Sequence, residues 1–555
     1  MESQRFLGPD QDDNGVSYGM TDENKNKNYE GEEDDIIDKA IGKFGRWQCQ
    51  LTFLLALFNI PCTFHIFVPT FHGRERPVWC AKPARFSNVS LDVWIDTTEH
   101  DGYCRVNDTR NASVDAFHHL VDVGKDLVDC KKWEFGGAGE TIISEFNLVC
   151  DRKTLLNMAE MCFLAGVAVG GLICGIISDK CGRKRTLLCS VCIQSLIGCS
   201  IAFVPYFELY CILRLLLGFI SVSVVFSGFV LSIELVGGHW RTVAGICYLF
   251  PVSLSYMIIS GLAWFLRDWR QLQFAVSAPG LLFLSLYFIL PESPRWLLAM
   301  GKTDQVMKVL QTAARVNRKD LPPNIDKQLL APDGDPETES LGVLDLFKTA
   351  EMRKKSFLLY IIWFSVYLVY YGLVLNLENI GGDLYINSVL TGLVEVPALA
   401  VSIPILIKGG RRWPLALTMI FSGVACTFIV PFKMFHNNLQ WVVTTFSMMS
   451  KMSISSSNAI MPVFTAELYP TTLRNIGVGA SNVTAGIALM LVPYLFELKS
   501  IKEALPVGVL AACGIIGGIS VLFLPETGSR PLQDTLPEKS LESRRASRVS
   551  KSFNT

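Results

Sequence analysis

At 555 residues, the chain is 50% hydrophobic and 18% charged with a mean hydropathy of +0.34, too apolar for a soluble protein of this length, and predicts repeated membrane crossing. A formal net charge of -1 gives no electrostatic basis for nucleic-acid binding. The sequence holds no G-x-x-x-x-G-K-[ST] phosphate loop and no H-E-x-x-H pair, so no ATP use, enzyme chemistry, cofactor or metal site is expected.

Residues 1–46 form an acidic tail with a Glu32-Glu33-Asp34-Asp35 run and no apolar stretch of the signal-peptide kind. It reads as a cytosolic segment, disordered to about residue 40. Residues 36–45 are mixed and amphipathic, and lead into a first span at about 50–70 that Pro61 is expected to kink. The loop 71–153 turns hydrophilic and carries Cys80, Cys104, Cys130 and Cys150 beside sequons at Asn88, Asn107 and Asn111. Clustered sequons and an even cysteine count predict an extracellular, glycosylated loop with two disulfides, in any of three pairings. Cys162, Cys189, Cys199 and Cys513 sit in apolar runs and read as packing residues.

Five further apolar runs follow at about 155–178, 187–205, 208–233, 242–265 and 271–290. Six more lie at about 356–376, 386–407, 414–431, 440–464, 474–497 and 504–524. Each is near the roughly 20 residues that a bilayer span requires. The plan is an N-terminal six-helix bundle over 47–290, a cytosolic linker over 291–355, a C-terminal bundle over 356–524 and a cytosolic tail over 525–555. Lys180 to Arg185, Arg241, Lys408, Arg411, Arg412, Arg474, Arg544, Arg545 and Arg548 fall on one side, opposite the sequons. That bias predicts a multi-pass protein with both termini cytosolic, Arg267 and Arg270 being the exceptions, and the plasma membrane is its expected location.

The halves repeat. Glu234-Leu-Val-Gly-Gly-His-Trp-Arg241 after the fourth run matches Glu467-Leu-Tyr-Pro-Thr-Thr-Leu-Arg474 after the tenth. Pro291-Glu292-Ser293 likewise matches Pro525-Glu526-Thr527 in the same register. Parallel six-helix repeats are the architecture of transporters that rock two bundles about a central site.

These motifs, the segment Thr141-Ile-Ile-Ser-Glu145-Phe-Asn-Leu-Val-Cys150-Asp151, the loop Asp179-Lys-Cys-Gly182-Arg183 and Pro291-Glu-Ser-Pro-Arg-Trp296 carry a resemblance. Over about residues 36–530 the chain resembles the organic cation, anion and zwitterion branch of the major facilitator superfamily. The resemblance implies an all-α membrane protein of twelve transmembrane helices in two halves, with a large extracellular loop after the first. It also implies secondary transport by alternating access, with a small organic cation or zwitterion and the lipid bilayer as the only partners. Small organic cations are the first reading, a zwitterion or organic anion the alternative, and a receptor or channel the reading outside the family. The loop Ile407-Lys-Gly-Gly410-Arg411-Arg412 departs from the family pattern, with isoleucine in place of aspartate.

Asp179, Arg183, Glu234, Arg241, Glu292, Arg295, Glu467, Arg474 and Glu526 all fall at cytosolic helix ends. They are expected to form a gate network, in which many weak pairs together bias two states. Among mid-span residues Glu395 is the sharpest, because a charge at bilayer depth costs about 2.5–3.5 kcal/mol unless it faces a cavity or a cation. The resemblance agrees, since cation-carrying relatives place a glutamate in a matching context; the other reading is a hydrogen-bonded brace of the Pro397 kink. Trp363, Tyr367, Tyr370 and Tyr371 supply aromatic faces in the seventh run, with Trp363, Tyr367 and Tyr371 at four-residue spacing. Tyr248, Phe226, Asn59, His65 and Asn482 are further candidate lining residues. Where relatives carry a charged discriminator in the eleventh run, this chain has Gly486.

Overall fold

The computed structural model describes residues 36–98, 103–115, 119–121, 123–124, 126–323, 325, 343–375, 377, 382–434, 439–470 and 473–527. Most of the acidic tail, part of the linker and nearly all of the C-terminal tail lie outside the described residues.

In lipid a backbone must satisfy its own polar groups, so the apolar runs become helices. The first six spans are Arg46–Ala56 with Asn59–His72, Thr154–Cys181, Arg183–Ile201, Phe207–Glu234, Trp240–Cys247 with Phe250–Phe265, and Trp269–Ser277 continued by a 3-10 segment Ala278–Phe288. The second six are Ala350–Leu375, Leu384–Lys408, Arg412–Met434, Gln440–Leu468, Arg474–Leu495 and Leu505–Leu522. Among the described residues, ten helical segments meet the length and hydropathy of a membrane crossing. The third and tenth spans have the length but carry more polar residues. The tenth hydrogen-bonds sideways to the ninth, through Ser450 to Ser422 at 2.8 Å and Ser457 to Thr418 at 2.7 Å. Such bonds satisfy hydroxyls away from water and tie the two helices together.

The first span is broken at Leu57–Phe58. A proline ring crowds the carbonyl four residues before it, which for Pro61 is that of Leu57. The N-terminal segment also differs from its expected disorder at its inner end: Ile36–Ile41 is a helix whose Ile37, Ala40 and Ile41 are each 2% exposed. Their i, i+3, i+4 spacing makes one apolar face, which packs on the first bundle with Trp47 and Leu310. The linker contributes Pro294–Ala299 and Thr303–Asn317, and Asn317 accepts from the Trp47 backbone N–H at 2.9 Å.

The loop after the first span folds as a cap rather than extending the helical pattern. Three antiparallel two-stranded ribbons pair Val78–Cys80 with Trp133–Phe135, Arg105–Asn107 with Leu127–Asp129, and Ser113–Val114 with Leu120–Val121. A small core of Phe86, Val89 and Trp94 lies beneath them. Of the three possible pairings, the disulfides are Cys80–Cys130 and Cys104–Cys150. Arg270, an exception to the charge bias, docks the cap: it pairs with Glu145 and donates to the Ala202 and Val204 carbonyls at 2.7 Å.

Candidate substrate site and gate

Asp383 starts the eighth span by accepting from the Tyr385 and Ile386 backbone N–H groups at 2.8 and 3.1 Å. Partway along this helix Glu395 is 3% exposed. Its Oε1 accepts from the Tyr370 hydroxyl at 2.8 Å, and its Oε2 lies 3.4 Å from Nζ of Lys451 on the tenth span. Lys451 is 2% exposed. Among the described residues, neither Oε2 nor Nζ makes a hydrogen bond of good geometry, so the two charges attract without a tight lock.

Aromatic rings surround that ammonium. Nζ sits 3.2 Å from the Tyr370 ring centroid and 5.4 Å from that of Tyr256. Phe67 of the first span packs on Tyr256 at 4.2 Å and stacks on Tyr371 at 6.5 Å. Helices one, five, seven, eight and ten therefore converge on one ion pair, and the cage expected around a ligand's cation holds the chain's own. A cationic ring face contact is worth about 0.5–2 kcal/mol, so an incoming amine competes for both the rings and the carboxylate.

Trp363, Tyr367 and Tyr371 stack in series, at 5.8 Å and 7° and then 6.0 Å and 19°. Trp363 is itself buried and donates to the Thr465 hydroxyl at 2.9 Å. Asn59 and Tyr248 are hydrogen-bonded within the first half: Asn59 donates to the Tyr248 carbonyl at 2.6 Å, and the Tyr248 hydroxyl to the Val225 carbonyl at 3.1 Å. His65 lends its carbonyl to Arg214 at 3.0 Å. Phe226 is 37% exposed, with its ring beside Gly175. Asn482 faces Gly171 of the second span, and Gly486 faces Ala168 one turn away, so both sit where the halves meet.

The charged helix ends close on themselves within each half. Arg183 pairs with Glu234 at 3.2 Å and with Asp179 at 2.7 Å, while Arg295 pairs with Asp38 at 3.0 Å and donates to the Glu234 carbonyl at 3.1 Å. Arg241 reaches Asp38 at 4.0 Å. Glu292 caps the third span by accepting from the Lys184 N–H at 2.9 Å. The second half repeats this: Arg411 pairs with Glu467 at 3.1 Å, and Glu526 accepts from the Arg411 and Arg412 N–H groups at 2.8 and 3.2 Å. The two loops share a glycine with positive φ, Gly182 at 100° and Gly410 at 77°, and a Cβ there would meet Glu292 at 2.6 Å or Glu526 at 3.0 Å. Ile407 therefore leaves the second-half cluster without the aspartate of the first, but not without its arginine–glutamate pair. Nε and Nη2 of Arg474 are buried without a hydrogen-bond partner among the described residues.

Hydrogen bonds between the halves run instead from the central site, where the Tyr256 and Tyr370 hydroxyls lie 3.4 Å apart, toward the cap. Arg74 donates to the Tyr385 hydroxyl at 2.7 Å and Asn157 to Glu497 at 2.8 Å. Among the described residues, the salt bridges at the other end each stay within one half. Among the described residues, the polar contacts between the two halves thus lie at the central site and on the cap side.

Lys451 is the residue that sequence reasoning passed over. The signal was present: it is a charge inside an apolar run, which is the argument that singled out Glu395. Tyr256 and Phe67 carried no such signal, because aromatic residues are ordinary in membrane helices.

A family model described as "Sugar (and other) transporter" matches residues 124–536. The human protein named solute carrier family 22 member 13 is 35% identical over 90% of this chain and 92% of its own length. A Drosophila melanogaster organic cation transporter protein is 32% identical over 91% and 94%, and a Drosophila melanogaster beta-alanine transporter 30% identical over 91% and 88%. Among solved structures, the xylose transporter XylE from E. coli in a partially occluded inward-open conformation aligns with a TM-score of 0.61 at 15% identity, covering 88% of this chain and 100% of that one. At that identity the likeness shows the fold alone.

Proposed function

This chain belongs to the sugar (and other) transporter family and, within it, to solute carrier family 22, and from that premise we propose that it carries small organic cations across the plasma membrane, with the cap outside and both termini cytosolic. The chain is a secondary transporter of the major facilitator fold and not an enzyme. The observation that carries the substrate reading is the loose Glu395–Lys451 ion pair in its aromatic cage, at 3.4 Å with no hydrogen bond between the charges. Lys451 acts as a tethered cation that keeps Glu395 compensated between cycles. An organic amine displaces it, takes the carboxylate and the Tyr256 and Tyr370 faces, and leaves when the lysine returns. Similarity to the Drosophila organic cation transporter protein supports this reading.

Alternating access then works through the two ends. The polar contacts near the cap close the outer side, and the arginine–glutamate pairs in each half stiffen the helix ends that must separate and re-engage at the cytosolic side. The charges named for the gate act here as braces within each half, so rigid bundles can rock.

One observation favours a second reading. Lys451, once freed from Glu395, is itself a binding group for a carboxylate, so an amino-acid-like zwitterion satisfies both members of the pair. The relative named as a beta-alanine transporter supports this alternative.

The test is uptake of a monovalent amine by the full chain and two variants at measured surface density. Lys451→Met removes the competing cation and should lower the half-saturating amine concentration about tenfold, the scale of one charge-assisted contact. Glu395→Gln should raise it by at least as much. If both variants reach the surface and carry the amine with unaltered affinity, the pair is a structural brace.

A further inference from the structure

Beneath the cap, at the seam between the halves, lies a cavity of about 140 Å³ whose polar lining comes from Thr70, Asn157, Glu160, Tyr210 and Arg214, with Phe496 also lining it. That is close to the about 150 Å³ of a protein cavity that binds benzene, so it has room for a small amino acid. Arg214 is 1% exposed and stacks over the Phe163 ring at 4.3 Å. One nitrogen, Nη1, donates to the His65 carbonyl at 3.0 Å, while Nε and Nη2 are buried without a hydrogen-bond partner among the described residues. A buried guanidinium with two idle donors is costly unless something completes it.

Glu160 lines the same cavity from the second span. No ion pair joins Glu160 to Arg214 among the described residues. The two opposite charges face one small space, and neither neutralises the other by contact. Tyr210 and Arg214 come from the fourth span, Glu160 and Asn157 from the second, and Leu375 and Phe496 from the second half. Separation of the halves on the cap side would open this space to the outer medium, since the Asn157–Glu497 bond that bridges the halves borders it.

We propose that this cavity is an outer recognition site for a small zwitterion, in which the idle donors of Arg214 hold the ligand's carboxylate and Glu160 holds its ammonium. A planar guanidinium offering two adjacent N–H groups matches a carboxylate, whereas a simple amine leaves those donors unmet. The inference rests on the transport reading above only for the passage that follows; the site itself stands on residues far in sequence from Glu395 and Lys451. Such a site admits amines that carry a carboxylate in preference to those that do not.

The experiment compares saturable uptake of 4-aminobutyrate with that of n-butylamine, which lacks the carboxylate, by the full chain in cells with surface density measured. Arg214→Lys should raise the half-saturating concentration of 4-aminobutyrate about tenfold relative to that of butylamine, because a lysine cannot offer the paired donors. Should that variant fail to reach the surface, Glu160→Gln serves, and it should raise the 4-aminobutyrate value about tenfold through loss of the ammonium's partner. Equal shifts for both probes in Arg214→Lys, or an unshifted 4-aminobutyrate value in Glu160→Gln, overturn the site. Butylamine carried while 4-aminobutyrate is not also overturns it and leaves the cation reading standing. Neither probe carried overturns the transport reading itself.

Discussion

Lys451 Nζ lies 3.4 Å from Glu395 Oε2, both side chains almost wholly buried, so that two charges set on neighbouring spans enter the bundle as one neutral pair. Removing either partner leaves the other charged in a poorly solvated interior, which costs about 3–5 kcal/mol. Glu395→Gln and Lys451→Gln should each lower the unfolding midpoint of the purified protein in detergent. The double variant should recover most of that loss. If the double variant is as unstable as the sum of the two singles, the residues are not energetically coupled.

Charge movement separates the two substrate readings. A cycle that carries a monovalent amine inward and returns empty moves one net charge, worth about 2.3 kcal/mol per 100 mV, so roughly 60 mV should yield about tenfold accumulation. Potassium gradients clamped with valinomycin in proteoliposomes set that potential. Accumulation of a zwitterion should ignore it. An amine that equilibrates to the same level at every potential rules out the uniport cycle.

Asp179 and Arg183 do not contribute equally to the proposed cytosolic brace. The Asp179 side chain is 70% exposed, and such a pair contributes only about 0–1 kcal/mol, whereas Arg183 is 11% exposed and holds Glu234 at 3.2 Å. Asp179→Ala should leave the maximal uptake rate within about twofold of the wild type. Arg183→Ala, which strands Glu234, should lower it much further with little change in half-saturation. Equal losses in the two variants would show that Asp179 makes a partner in another state of the cycle.

The three sequons separate on structural grounds. Asn88 and Asn111 are exposed, but Asn107 lies in a ribbon and donates its side-chain amide to the Thr97 carbonyl at 3.1 Å, with its Oδ1 buried. A glycan on that amide nitrogen would break the contact. Asn88→Gln and Asn111→Gln should each increase gel mobility by the mass of one glycan, and Asn107→Gln should leave it unchanged. A mobility shift in the Asn107 variant would mean that the cap packs differently in the cell.

Much of the architecture was legible from one-dimensional pattern. Apolar runs of bilayer length have no choice but to form helices, and the repeated Glu234…Arg241 and Glu467…Arg474 motifs declared two related halves. The stacked order of Trp363, Tyr367 and Tyr371 followed from helical spacing alone. Cysteine pairing did not follow, because any of three closures suits the spacing until the ribbons bring Cys80 to Cys130 and Cys104 to Cys150. The partner of Glu395 was equally hidden: Lys451 stands 56 positions away, and 451 − 395 says nothing about whether two helices touch. Spacing within a helix is set by local hydrogen bonds that every sequence of this kind must make. Which helix faces lie against one another is set by the packing of all twelve, and only that packing turned a lone carboxylate into half of an ion pair.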